Sequence, residues 1–181
     1  MLIERSKLQD VALFRPKVTR DDRGFFLEGF RSSAIEEISP ATRFIQDNHA
    51  RSERAGVVRG LHFQKEPRAQ SKFIWVSAGS IFDVVVDLRR ESPTFGQWEA
   101  FVISAANFLR LFVPRGFAHG YMTLEPGVEV QYKTDAYYAP GAEGGIVWND
   151  PDLNIQWPDL PPFLSEKDKA LPRFKDIEAM F

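Results

Sequence analysis

The run KFIWVSAGSIFDVVVDLR, residues 72 to 89, carries the signal that decides the fold class. Two stretches rich in β-branched and aromatic residues flank the small polar bend Ser77-Ala78-Gly79-Ser80. That pattern predicts two strands joined as a hairpin. The same signature repeats outward in both directions. Downstream, WEAFVIS (98–104), FLRLFVP (108–114), AHGYMTL (118–124) and VEVQYKT (128–134) read as strands. Upstream, GVVRGLHFQ (56–64), FIQDNHARS (44–52) and GFFLEGF (24–30) do the same, and LIERSKLQDVALFRPKV (2–18) reads as two short strands. DDRG (21–24) is a turn by composition. One short helix is expected in SSAIEEIS (32–39), with Ser capping its start and acids filling its first turns, and helical turns broken by Pro172 are expected in SEKDKALPRFKDIEAMF (165–181). Many short strands punctuated by twelve glycines and twelve prolines argue for an all-β sandwich or barrel. A jelly-roll barrel with a few short helices fits the count and can hold a ligand inside.

The totals bound the rest. A chain of 181 residues with no linker or repeat is expected to be one domain, residues 1–181. Its formal net charge of −2 argues against a general nucleic-acid binder but permits a local basic pocket for a small anion. There is no cysteine, so disulfides, zinc–thiolate sites and a cysteine nucleophile are excluded. The N-terminal stretch is charged throughout, unlike a signal peptide, and no apolar run approaches the roughly 20 residues of a membrane span. The expectation is a cytoplasmic protein with neither nucleic acid nor membrane as partner.

Only three histidines are present, His49, His62 and His119. Strand alternation puts Gly60, His62 and Gln64 on one face of RGLHFQ, with Arg59, Leu61 and Phe63 on the other. The same rule groups Lys72 with Ile74 and Val76, and Tyr132 with Val128 and Val130. A barrel with these faces inward would present His62, Lys72 and Tyr132 to its interior. His62 could then be a metal ligand, a proton-transfer base or a packed core residue. The spacing P-x-G-x-x-H from Pro114 to His119 resembles the second motif of the cupin barrels. The H-x-H pair usual in the first cupin motif is broken here, because LHFQ supplies one His and a Gln. A metal needs three or four converging ligands, so no metal is expected.

Six segments occur in order: FIQDNHARSERAGVVRGLHFQ, PTFGQW, VPRGFAHGY, QYKTDAYYAP, EGGIVWNDPDLNIQWP and LSEKD. This ordered set resembles the dTDP-4-dehydrorhamnose 3,5-epimerase family over about residues 21 to 169. The resemblance implies a metal-independent cupin-type jelly roll, usually a homodimer. It also implies cofactor-free epimerisation at C3 and C5 of a dTDP-4-keto-sugar, in dTDP-L-rhamnose biosynthesis. Protons beside a ketone are acidic because the carbanion becomes an enolate, so the substrate carries its own electron sink. The chemistry needs a base on one face, a stabiliser for the enolate oxygen and an acid on the other face.

By the resemblance, His62 is the base, and histidine's ordinary pKa suits abstraction near neutrality. Asp168 orients that ring, Lys72 faces the C4 oxygen as an electrostatic stabiliser, and Tyr132 returns a proton from the far face. Arg23 and Arg59 match residues that meet the diphosphate or its surroundings, for which a planar guanidinium is suited. Phe26 and Glu28 match positions near the thymidine, and Tyr138 matches an aromatic that stacks on the thymine. Gln46, Asp47, Asn48, His119, Glu143 and Lys167 fall on further binding positions. Each has a plainer reading as well: Asp168 as a solvated helix acid, Lys72 as a strand-edge lysine, Tyr132 and Phe26 as core aromatics, Arg23 as a turn residue, Glu143 as loop. His49 has no assigned role. Ala50, Trp75 and Arg110 depart from the family's usual pattern without removing a catalytic position. The alternatives are an epimerase acting at C3 or C5 only, a ketoisomerase on a related sugar, and, in another class, a nucleotide-sugar binding module without turnover.

Overall fold

The computed structural model describes residues 1–177 and 181. Among these residues the chain forms β1 (Leu2–Arg5), β2 (Ala12–Arg15), β3 (Val18–Asp21), β4 (Gly24–Leu27), α1 (Ser32–Glu36), β5 (Gln46–Ser52), β6 (Val58–Gln64) and β7 (Lys72–Ala78). It continues with β8 (Ser80–Asp87), β9 (Trp98–Ser104), β10 (Arg110–Val113), β11 (Phe117–Thr123), β12 (Val128–Thr134), β13 (Glu143–Gly145) and α2 (Glu166–Lys169). The all-β jelly-roll expectation holds. A six-stranded sheet in the order β1-β2-β10-β7-β12-β5 faces a five-stranded sheet in the order β13-β6-β11-β8-β9. Alternation then divides the core in three. Ile74, Val76, Leu111, Val113, Val128 and Val130 from one sheet meet Ile81, Val85, Ile103 and Phe117 from the other, filling the space between them. Phe73, Phe112 and Phe14 point the opposite way and pack under α1 through Ala34 and Ile35. Leu61, Val84 and Val86 back onto the C-terminal segment through Ile146, Leu153 and Ile155.

The hairpin expected at residues 72–89 is not formed. β7 pairs with β10 and β12, whereas β8 pairs with β11 and β9. The bend is there, but it is a corner at which the chain leaves one sheet for the other. Gly79 makes it, with φ +74°, and a Cβ there would lie 2.8 Å from Val128 Cγ2. Both strands have partners on both edges, β10 and β12 for β7 and β11 and β9 for β8, and those pairings outcompete the local one.

The helix at 32–39 is shorter than expected and is entered differently. α1 covers Ser32–Glu36, its N-cap is Arg31 without a side-chain cap bond, and its first turn holds no acid. Packing of Ala34 and Ile35 holds it, as expected for a helix far too short to be stable alone. In the C-terminal stretch, α2 and a 3₁₀ turn at Phe174–Asp176 flank Pro172 as expected. The part of that expectation falling on residues 178–180 lies outside the described residues. The DDRG turn closes the β3–β4 hairpin, where the Arg23 backbone N–H donates to Asp21 Oδ1 at 2.9 Å. Among the described residues no helix is long and apolar enough to cross a membrane.

Candidate active site

A cavity of about 600 Å³ opens between the two sheets, and Arg59, His62, Lys72, His119, Tyr132, Lys167 and Asp168 all line it. Lys72 comes from β7 and Tyr132 from β12, neighbours in the six-stranded sheet. His62 and His119 come from β6 and β11, directly opposite each other in the five-stranded sheet. Inward presentation of His62, Lys72 and Tyr132 is therefore as alternation indicated.

Arg59 is not where alternation put it. It stands three residues from His62 and should face away, yet both line the cavity. The cause is a bulge. His119 pairs with His62 and Tyr121 with Arg59, so two steps along β11 match three along β6. The extra residue lies next to Gly60, at φ +122°. A Cβ there would sit 2.6 Å from Gly120 Cα and 2.7 Å from the His119 carbonyl oxygen. Only glycine allows that approach, and it swings Arg59 onto the face of the base.

His62 Nε2 donates to Asp168 Oδ1 at 2.6 Å. Asp168 is 5% exposed, although it sits in the charged helix α2. The Ser165 hydroxyl caps that helix by accepting from the Asp168 N–H at 3.1 Å, which turns the carboxylate inward. Burial pushes the Asp168 pKa up. The hydrogen bond and charge of His62, the Ser165 cap and the Lys167 ammonium outweigh it, and the net shift is downward, toward the carboxylate. The arrangement fixes the imidazole ring and leaves Nδ1 as its other nitrogen.

Lys72 sits between competing effects. Burial lowers its pKa from the ordinary lysine value to about 8, against the opposing pull of Asp83 and Glu143. Burial likewise raises the Tyr132 phenol, so it stays protonated through neutral pH; Arg59 acts in the opposite direction and Glu143 adds to the rise. His119 is buried and its Nε2 donates to both oxygens of Asp83, at 3.0 and 2.9 Å. Burial still pushes its pKa down, favouring the neutral ring. Each histidine thus has its own carboxylate, and among the described residues no three ligand groups converge as a metal site.

Three binding candidates form one cluster, of which Lys167 lines the cavity and Tyr138 and Glu143 do not. Glu143 Oε2 accepts from the Tyr138 hydroxyl at 2.7 Å and from Lys167 Nζ at 2.5 Å. Gln46 Oε1 accepts from the Tyr138 N–H at 3.1 Å, and Gln46 Nε2 donates to Asn48 Oδ1 at 2.9 Å. Gln46 and Asn48 alternate along β5 with Ala50, which lines the cavity. Asp47 alternates to the opposite side, where Lys133 Nζ donates to it at 2.7 Å, and His49 bonds Glu129 at 3.1 Å. Arg23, Phe26 and Glu28 do not line the cavity at all. They belong to the β3–β4 hairpin and the segment after it, where the Arg23 side chain is 90% exposed and Phe26 is 75% exposed.

Two groups beside the cavity histidines were not anticipated from sequence. Asp83 was hidden in the valine-rich run IFDVVV, where a fully buried acid needs a partner; that acid in the middle of an apolar run was the available signal. Tyr121 lines the cavity two residues beyond His119, on the same face of β11.

Comparisons with known proteins show the family and the fold. A family model described as dTDP-4-dehydrorhamnose 3,5-epimerase matches residues 5–176. The chain is 48% identical over 180 residues to a dTDP-4-dehydrorhamnose 3,5-epimerase of Pseudomonas aeruginosa, covering 98% of each. It superimposes with a TM-score of 0.93 on the dTDP-6-deoxy-D-glucose-3,5-epimerase of Legionella pneumophila in complex with dTDP-4-keto-L-rhamnose, at 40% identity and covering 98% and 95% of the two chains. A 3′-monoepimerase from Streptomyces bikiniensis in complex with dTDP-quinovose gives a TM-score of 0.87 at 32% identity, covering 93% of this chain and 85% of that one.

Proposed function

The chain belongs to the dTDP-4-dehydrorhamnose 3,5-epimerase family, and from that membership we propose that its cavity converts dTDP-4-dehydro-6-deoxy-D-glucose to dTDP-4-dehydro-L-rhamnose. The observation that carries the reading is the meeting of an acid-paired histidine, a desolvated lysine and a protonated tyrosine in one cavity. His62, held by Asp168, takes the proton from C5 or C3. The electron pair of the broken C–H bond moves into the ring, and the C4 carbonyl becomes an enolate. The Lys72 ammonium stabilises the oxygen on which that charge develops. Tyr132 then donates its proton to the same carbon from the opposite face and inverts it. Solvent restores the tyrosine proton and removes the one gained by His62. No cofactor enters, because the ketone is the electron sink.

Arg59 and Lys167 supply positive charge where the diphosphate would run, and Tyr138 offers a flat face for the thymine. Arg23, Phe26 and Glu28 serve the site of a second copy. In a homodimer their exposed hairpin can reach a neighbouring cavity, which accounts for binding residues that stand outside their own. The cytoplasmic location read from the sequence belongs with this role in dTDP-L-rhamnose biosynthesis.

The test is exchange in heavy water with dTDP-4-keto-6-deoxyglucose, followed by NMR at C3 and C5 with a reductase trapping product. Deuterium at both carbons is the expected result. Deuterium at one carbon would make the protein a mono-epimerase. Tight nucleotide binding without exchange would leave a binding module.

A further inference from the structure

Tyr121 takes part in none of these steps, yet it stands in the same cavity. In β11 it lies opposite Arg59 on one side and Asp83 on the other, with its ring centroid 6.4 Å from that of His119. It is 5% exposed and belongs to the core cluster against which Tyr132 packs, so it sits deep beside the reacting groups rather than at the mouth.

Among the described residues its hydroxyl makes no hydrogen bond to the protein. Arg59 is a donor only and is turned toward Ser52 Oγ and the Arg51 carbonyl. Both Asp83 oxygens face His119, and neither accepts from Tyr121. Among the described residues no hydrogen bond reaches the Tyr121 hydroxyl. Burial drives its pKa well up, so the group keeps its proton. A phenol that opens onto a cavity without a protein partner can give its hydrogen bond to what binds there.

We propose that Tyr121 is a substrate-positioning residue whose hydroxyl donates to an oxygen of the bound sugar beside Tyr132, helping to set which ring carbon faces His62. This rests on the cavity being the epimerase site. It adds a second phenol to that site, one that holds the sugar and transfers no proton.

Tyr121→Phe tests it, because the ring that fills the core is kept and only the hydroxyl is lost. The melting temperature should stay at or slightly above the wild-type value. KM for the keto-sugar should rise roughly three- to tenfold, the worth of one neutral hydrogen bond. The ratio of deuterium at C5 to C3 should change, and affinity for dTDP alone should move less than about twofold. Wild-type KM and an unchanged deuterium ratio would overturn the assignment while leaving the functional reading intact. An equal loss of dTDP affinity would put the hydroxyl on the diphosphate and overturn its contact with the sugar. Absence of exchange by the wild-type protein would remove the functional reading itself, and the sugar contact with it.

Discussion

At the scale of single residues, the site depends on two groups whose surroundings oppose their charged forms. Asp168 is held as a carboxylate by His62 and Ser165 against the push of burial. Asp168→Asn keeps the shape but exchanges an anion for an amide, so the imidazolium formed on abstraction loses its stabilising partner. Steady-state kinetics should show kcat lower by on the order of 10²-fold or more, with dTDP affinity little changed. A variant with wild-type kcat would remove Asp168 from the mechanism. Lys72 makes a prediction about pH. With a folded pKa of about 8, its ammonium is lost as pH rises through that value, and kcat/KM should fall on an alkaline limb near there. Lys72→Met should be much slower and should lack that limb. Stability moves in the opposite sense. The unfolded chain binds the lysine proton more tightly than the folded one, so the penalty for burying this ammonium is relieved as pH rises from about 8 toward the ordinary lysine value.

At the scale of elements, β6 shows how one glycine decides which side chains reach the site. The bulge beside Gly60 brings Arg59 and His62 to one face, where regular alternation would separate them. Gly60→Ala would meet the Gly120 backbone and force an unfavourable φ. Thermal unfolding should report a loss of at least about 2 kcal/mol. Affinity for dTDP should fall with it, because Arg59 turns off the cavity face. Retention of both would mean the bulge is dispensable. The corner at Gly79 is the same lesson at the fold level. A small polar bend between two β-branched runs reads as a hairpin, yet here it hands the chain from one sheet to the other.

At the scale of the whole molecule, the proposed homodimer follows from binding candidates that lie outside their own cavity. It predicts a solution mass of twice the 20.7 kDa chain by sedimentation. It also predicts complementation. Take one copy carrying Arg23→Ala with Phe26→Ala and a second carrying His62→Asn, each weakly active or inactive alone below KM. Co-expressed, half the dimers are mixed and each has one complete site, so about a quarter of wild-type activity should return. No recovery would mean that each hairpin serves its own chain or none.

Much of this was legible in the chain. Strand positions, the all-β class and the inward faces of His62, Lys72 and Tyr132 follow from period-2 patterning, because a side chain's direction along a regular strand is a local property. Ordered motifs identified the family, because chemistry fixes residue types at fixed separations. The pairing of β7 with β10 and β12, and of β8 with β11, was not legible, since it depends on which edges compete over long sequence separations. Nor were the swing of Arg59 across a bulge, the Asp83–His119 pair and the burial of Asp168 out of a charged helix. Only the tertiary structure decided those, because burial and charge pairing are set by neighbours that the chain brings together when it folds.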